Sequence, residues 1–180
     1  MSSARFRIAA RLVAVAALAG LTAGCFQPMY AEHADGTPGL RDKLMGIELP
    51  PVDKPNASPE ARVGVDIRNA LAFKLYGTAT GTAPTHKLVL RLQTSRSSLI
   101  VSQTTGLPTT ENVGLDVQYN LVELATNKSV MTGARTSYDI PGSYQRFARQ
   151  RAFRDAEDRA SEEVAEKIKT RLAAYFTAGT

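Results

Sequence analysis

The sequence predicts an α+β domain in which two helices pack on one face of a four-stranded mixed sheet, in the order β-α-β-β-β-α. Three observations predict it. From Leu88 to Leu92, and again from Val113 to Leu121, apolar residues recur at every second position, the period of a strand with one buried face. From Val63 to Leu75, and again from Phe147 to Tyr175, they recur at three and four, the period of a helix. Two helices laid on one sheet face is the simplest arrangement that buries every one of these stripes.

The elements follow in order. Lys43–Leu49 (KLMGIEL) alternates, with Met45, Ile47 and Leu49 on one side, and Pro50-Pro51 closes it, which predicts the first strand. Ser58 precedes Pro59 and Glu60, an N-cap followed by the residue best suited to a first helical turn. Val63, Ile67, Ala70, Leu71, Lys74 and Leu75 then trace a helix that stops at Gly77. Gly64, inside it, costs about 1 kcal/mol against alanine, so close packing is expected there. After the loop Gly77–Thr85, Leu88, Leu90 and Leu92 face one way and Lys87, Val89, Arg91 and Gln93 the other. Ser95–Ser98 interrupts this alternation and Leu99–Val101 resumes it beyond a bulge or bend. Thr104–Pro108 is a turn. Val113, Leu115, Val117, Tyr119 and Leu121 form the clearest strand, Thr126-Asn127-Lys128 a hairpin turn, and Ser129–Tyr138 the returning partner. The last helix runs from about Tyr144 to Phe176, with Phe147, Phe153, Ala156, Ala160, Val164, Ile168, Leu172 and Tyr175 on its apolar stripe.

The N-terminus is of another kind. Arg5, Arg7 and Arg11 precede a ten-residue apolar run, Leu12–Leu21, and the small residues Thr22, Ala23 and Gly24 lead to Cys25, the single cysteine of the 180 residues. This is the layout of a secretory signal over residues 1–24, and the run is too short for a membrane-spanning helix, which needs roughly 20 apolar residues. A small-small-cysteine ending resembles the lipobox of bacterial lipoproteins, in which the cysteine becomes the acylated first residue. A lone cysteine cannot form an internal disulfide, and acylation accounts for both its number and its position. Phe26, where aspartate would signal inner-membrane retention, favours the outer membrane. Residues 25–42 are expected to form the tether, 43–176 a single domain, and 177–180 a C-terminal tail. Cleavage lowers the basic count from 22 to 19 against 17 acidic residues, a net +2, so the basic character is weak evidence for nucleic-acid binding.

With these elements placed, the chain resembles a known family. Cys25-Phe26-Gln27-Pro28-Met29-Tyr30, the segment Tyr119–Leu124, Ser137-Tyr138-Asp139, and the Phe147–Phe176 helix with its Ala/Arg/Asp texture are together similar to the LPS-assembly lipoproteins (LptE) of alphaproteobacterial type. The resemblance implies a non-enzymatic outer-membrane lipoprotein, lipid-anchored on the periplasmic side. It would sit as a plug in LptD, the β-barrel that exports lipopolysaccharide (LPS), assist barrel assembly and bind LPS on its way to the outer leaflet. A sheet edge would offer such a barrel main-chain contacts. Two other classes stay open at this point: an accessory lipoprotein of another envelope complex, such as a peptidoglycan synthase, and an envelope hydrolase.

The residues themselves point away from catalysis. His33 and His86 have no spacing that suggests metal ligation or a general base, no nucleophile elbow or phosphate loop occurs, and no cofactor is expected. Asp155, Glu157, Asp158, Glu162, Glu163 and Glu166 alternate with Arg159 and Lys167, as on a solvated, ion-paired helix face. Two basic clusters stand out. Lys87 and Arg91, followed by Arg96, are the candidates for LPS phosphates, which Arg and Lys bind by charge-assisted hydrogen bonds. An ordinary solvent-facing strand accounts for them equally well. Arg146, Arg149, Arg151 and Arg154 crowd the first turns of the last helix, against its dipole, and mark either a partner surface or a soluble one.

Overall fold

A computed structural model describes residues 38–78, 82–106, 108–141 and 146–178. The signal sequence, Cys25, His33 and the arm as far as residue 37 lie outside the described residues. From Leu40 onward the chain forms one unit. It contains helix α1 (Leu40–Met45), strand β1 (Ile47–Glu48), helix α2 (Pro59–Tyr76), strands β2 (His86–Val101), β3 (Pro108–Glu123) and β4 (Ser129–Pro141), and helix α3 (Arg146–Thr177). The sheet order is β1-β2-β3-β4, with β1 parallel to β2 and the remaining pairs antiparallel, so the sheet is mixed as expected.

The predicted first strand is shorter than its alternation implies, and a helix precedes it. Leu40 and Leu44, four residues apart, are both buried, and the Gly46 N–H donates to Asp42 O at 3.0 Å to close the turn. Lys43–Met45 are therefore helical, and the fold takes in Leu40–Asp42, which the sequence reading leaves in the tether. Gly46 then lets two chain segments meet. Its carbonyl accepts from Thr85 N at 2.8 Å and His86 N at 3.1 Å, and a Cβ there would stand 2.8 Å from Thr85 Oγ1. Only Ile47 and Glu48 pair with β2, because the ladder runs into Pro50-Pro51, which have no N–H to give, and the Leu49 carbonyl is taken by Arg68 Nε at 2.9 Å.

Helix α2 is capped as its sequence predicts: Ser58 Oγ accepts from Ala61 N at 3.0 Å, and Gly77 N donates to Phe73 O at 2.8 Å. Val63, Ile67, Leu71 and Leu75 form its buried stripe. Gly64 is where the helix sits closest to its neighbours. A Cβ there would come within 3.0 Å of Val52 Cβ and 3.2 Å of Leu92 Cδ2.

Strand β2 does not break at Ser95–Ser98. These residues stay paired with Gly114, Val113, Asn112 and Glu111, and the irregularity falls after Ser98. Main-chain pairing carries the strand through a polar stretch that periodicity reads as a gap. Leu88, Leu90 and Leu92, the odd-numbered residues of β3 from Val113 to Leu121, and Ala134 and Ile140 of β4 face the helices and are buried. Asn127, at φ 56°, makes the turn between β3 and β4. Helix α3 lies along β3 and β4 on the same sheet face as α2. Phe153, Ala156, Ala160, Val164, Ile168 and Leu172 are buried, the alanines holding it close. Phe147, placed on that stripe by its spacing, is instead 86% exposed: six residues before Phe153, it stands roughly 120° around the helix from the buried stripe.

Candidate functional site

Lys87 and Arg91 lie on the sheet face that no helix covers. Odd-numbered β2 residues point there because Leu88, Leu90 and Leu92 fill the core side. Together with Lys54 they line a groove of about 620 Å³ between the Pro50–Lys54 segment and β2, whose remaining wall includes Asp53, Asp116 and Gln118. Asp116 is engaged by Arg135 across the β3–β4 pair, Nε to Oδ2 at 2.9 Å. Among the described residues Lys54, Lys87 and Arg91 have no ion pair, so the groove keeps a positive surplus. Sequence reading missed Lys54 because it belongs to an irregular segment with no period to place it.

Arg96 is not part of this group. In an unbroken β2 its even number puts it on the helix side, opposite Lys87 and Arg91, and there it donates from Nη2 to Glu157 Oε1 at 2.8 Å. Its guanidinium also lies 4.5 Å from the centre of the Phe153 ring. Arg62 of α2 binds the other Glu157 oxygen and reaches Asp66 and Asp158 at 3.4 and 3.6 Å. Glu157 is only 3% exposed, so it is a buried counter-ion and not the solvated residue its helical texture predicts. It ties β2, α2 and α3 together at one point, beside a cavity of about 540 Å³ that Gln150 and Arg154 also line.

The second basic cluster divides in the same way. Arg149 grips the buried Glu111 with two bonds, Nε to Oε2 at 2.8 Å and Nη2 to Oε1 at 2.5 Å, which raises its own pKa further. Arg154 borders the Glu157 cavity, whereas Arg146 and Arg151 are exposed. The remaining acidic residues of α3 are ion-paired as expected. Lys74 reaches Glu162 and Glu166 at 3.3 and 3.1 Å, and Asp155 pairs with Arg159 at 2.9 Å. Glu163 binds Lys167 at 2.6 Å and accepts from the Tyr138 hydroxyl, which together hold its carboxyl at a pKa of about 2.

His86 packs edge-on against Phe176, ring centres 5.0 Å apart, and burial lowers its pKa. Among the described residues no group of three His, Cys, Asp or Glu side chains could hold a metal ion, and no helix is long and apolar enough to cross a membrane.

The fold and these surfaces define a class: a small α+β domain whose buried charges fasten its elements together and whose open sheet face presents one cationic groove. The model of the lipopolysaccharide-assembly family LptE matches residues 44–172. The fold is similar to that of a protein from Caulobacter crescentus assigned as a lipoprotein, with 21% identity over 78% of this chain and 97% of that one, and a TM-score of 0.59. It is also similar to rare lipoprotein B from Shewanella oneidensis, with 15% identity over 73% and 96% of the two chains and a TM-score of 0.54. No curated protein sequence matches. The chain belongs to the LptE lipopolysaccharide-assembly family, as its motifs suggest.

Proposed function

We propose that this chain is a non-catalytic outer-membrane lipoprotein, acylated at Cys25 and held on the periplasmic side. There it would partner the LPS-export barrel LptD, assisting barrel assembly and LPS delivery to the outer leaflet. The observation that carries the reading is the family match across nearly the whole folded unit. The groove supports it. Lys87 and Arg91, joined by Lys54, form no ion pair among the described residues and face an uncovered surface, as suits binding of lipid A or core phosphates. Arg96 is spent on Glu157 and drops out of that surface. Affinity capture of the full chain from detergent-solubilised outer membrane should recover an LPS-export barrel in a fixed ratio. Recovery of no barrel protein would overturn the reading.

A further inference from the structure

A cavity on the helix-covered side of the sheet belongs neither to the groove nor to the Glu157 cluster. Its floor is two cross-strand pairs, Tyr119 with Thr132 and Leu121 with Val130. Tyr119 and Leu121 share the buried face of β3 with Val113, Leu115 and Val117, so these pairs lie beneath α3. The roof is Leu172 and Tyr175, three residues apart on α3, and the space between holds about 330 Å³. Small-ligand sites run from roughly 300 to 1,000 Å³ and combine an apolar wall with a few polar groups that fix orientation. Aliphatic and aromatic carbon makes up this wall, and Arg171 and Thr132 close one end.

That end holds two groups with unused capacity. Tyr119 is 3% exposed, and its hydroxyl has no hydrogen-bond partner, a condition native interiors rarely leave standing. Burial raises its pKa, with Thr132 and Arg171 close enough to oppose the rise, so the phenol keeps its proton and remains a donor. Those two neighbours bond each other instead, Arg171 Nη1 to Thr132 Oγ1 at 3.3 Å, and Arg171 Nη1 also donates to Gly133 O. Arg171 is exposed and forms no ion pair among the described residues. It also borders, with Thr132, a wider hollow of about 590 Å³, through which the polar end reaches the surface.

We infer that this cavity is a binding site for a single-chain fatty acid. The hydrocarbon would lie under α3 against Leu121, Val130, Leu172 and Tyr175, with the carboxylate at Arg171 and the Tyr119 hydroxyl. One guanidinium without a counter-ion among the described residues matches one carboxylate, whose oxygens accept from it and from the phenol at once. A cavity of this size takes one chain, not the several of a membrane lipid. The groove of Lys87 and Arg91 lies on the opposite face of the sheet, so the fatty acid would not compete with phosphates bound there. The inference goes beyond the proposed function and does not depend on it.

The probe is decanoate carrying a diazirine near its methyl end, photolysed with the full chain in a non-ionic detergent. Adducts should map to the peptides holding Val130 and Leu172–Tyr175, saturate near one per chain, and be displaced by unlabelled decanoate. Decanol, which has the chain without the carboxylate, should displace at least tenfold less well. Arg171→Gln keeps a donor for Gly133 O but removes the charge, and should weaken labelling at least tenfold. Tyr119→Phe should weaken it about fivefold without lowering Tm, because the hydroxyl it removes has no partner in the free protein. Adducts spread along the chain, or equal displacement by decanol, would show partition of an apolar tail only and overturn the site. Unchanged labelling in both variants would do the same. Displacement by purified LPS as effective as by decanoate would give the cavity to an LPS acyl chain and overturn the fatty acid. None of these outcomes bears on barrel capture, which tests the proposed function separately.

Discussion

Glu157→Gln is the sharpest test of how this domain holds together. The carboxylate is 3% exposed and serves two guanidinium groups, Arg96 at 2.8 Å through one oxygen and Arg62 through the other. An amide of the same shape has one oxygen, so one arginine meets an N–H₂ donor and loses its bond, and the other keeps a neutral bond in place of a charged one. A charged hydrogen bond contributes ~1.5–3 kcal/mol and a neutral one ~0.5–1.5 kcal/mol, which puts the gross loss near 3 kcal/mol. The arginine side chains are 40% and 45% exposed, so water recovers part of it, and Arg62 retains Asp66 and Asp158. The expected net cost is about 2 kcal/mol, roughly 6–8 °C in Tm for a domain of this size. Urea unfolding followed by circular dichroism at neutral pH measures it. Asp155→Asn, which breaks an exposed pair with Arg159, is the control and should cost less than ~0.5 kcal/mol. Arg96→Met should cost ~1.5–2 kcal/mol through the ion pair and the Phe153 contact. It should couple to Glu157→Gln by about 1 kcal/mol, since both remove the same bond. If Glu157→Gln matched the control, or the two changes were additive, Glu157 would not be the pin that joins β2, α2 and α3.

Charge reversal of Lys87 and Arg91 to Glu should weaken LPS binding at least tenfold without lowering Tm, measured by titration with purified LPS; unchanged binding would remove the groove from the site. Glu163 has its pKa lowered from 4.5 to about 2, so its stabilisation is present above pH 4.5 and is lost as pH falls toward 2. Glu163→Gln should therefore flatten the fall in Tm across that window and leave the rest of the pH profile unchanged. Gly64→Leu should destabilise by about 2–3 kcal/mol in urea melts, because a side chain there meets Val52 and Leu92 at once, and the gain in helix propensity offsets only ~1 kcal/mol. Cys25→Ala should fold with unchanged circular dichroism but leave the membrane fraction on carbonate washing; full retention would make the lipid secondary to the barrel.

The parts of this fold legible in the sequence are those where one periodic signal decides alone. Ser58, Pro59 and Gly77 bound α2 because capping is a local matter of backbone groups and the nearest side chains. The period-two leucines of β2 orient the whole sheet. The misreadings arise where a long-range contact overrides the local pattern. Lys43–Met45 alternate like a strand, but Leu40 and Leu44 bury better as a helical turn. Ser95–Ser98 look like a break until β3 supplies partners. The candidate site depended on that second point. Once β2 is continuous, parity alone separates Arg96 from Lys87 and Arg91. Glu157 and Glu111 were beyond reach, since nothing in a charged helix or a polar strand end shows which carboxylate will be covered and by which arginine.

The two-residue ladder between β1 and β2 also bears on the order in which the domain assembles. Its partners, Ile47 and His86, are separated by 39 positions, whereas β2, β3 and β4 are successive hairpins that close over short loops. Loop-closure entropy favours the meander first, with α3 following it directly in the chain. The β1 segment is held from α2 by Arg68 Nε on Leu49 O and the Tyr76 hydroxyl on Ile47 O, and its ladder with β2 adds few hydrogen bonds of its own. That segment would be the latest to settle and the first to open. The main-chain edge of β2 would then be fully bared while the rest of the sheet is already in place.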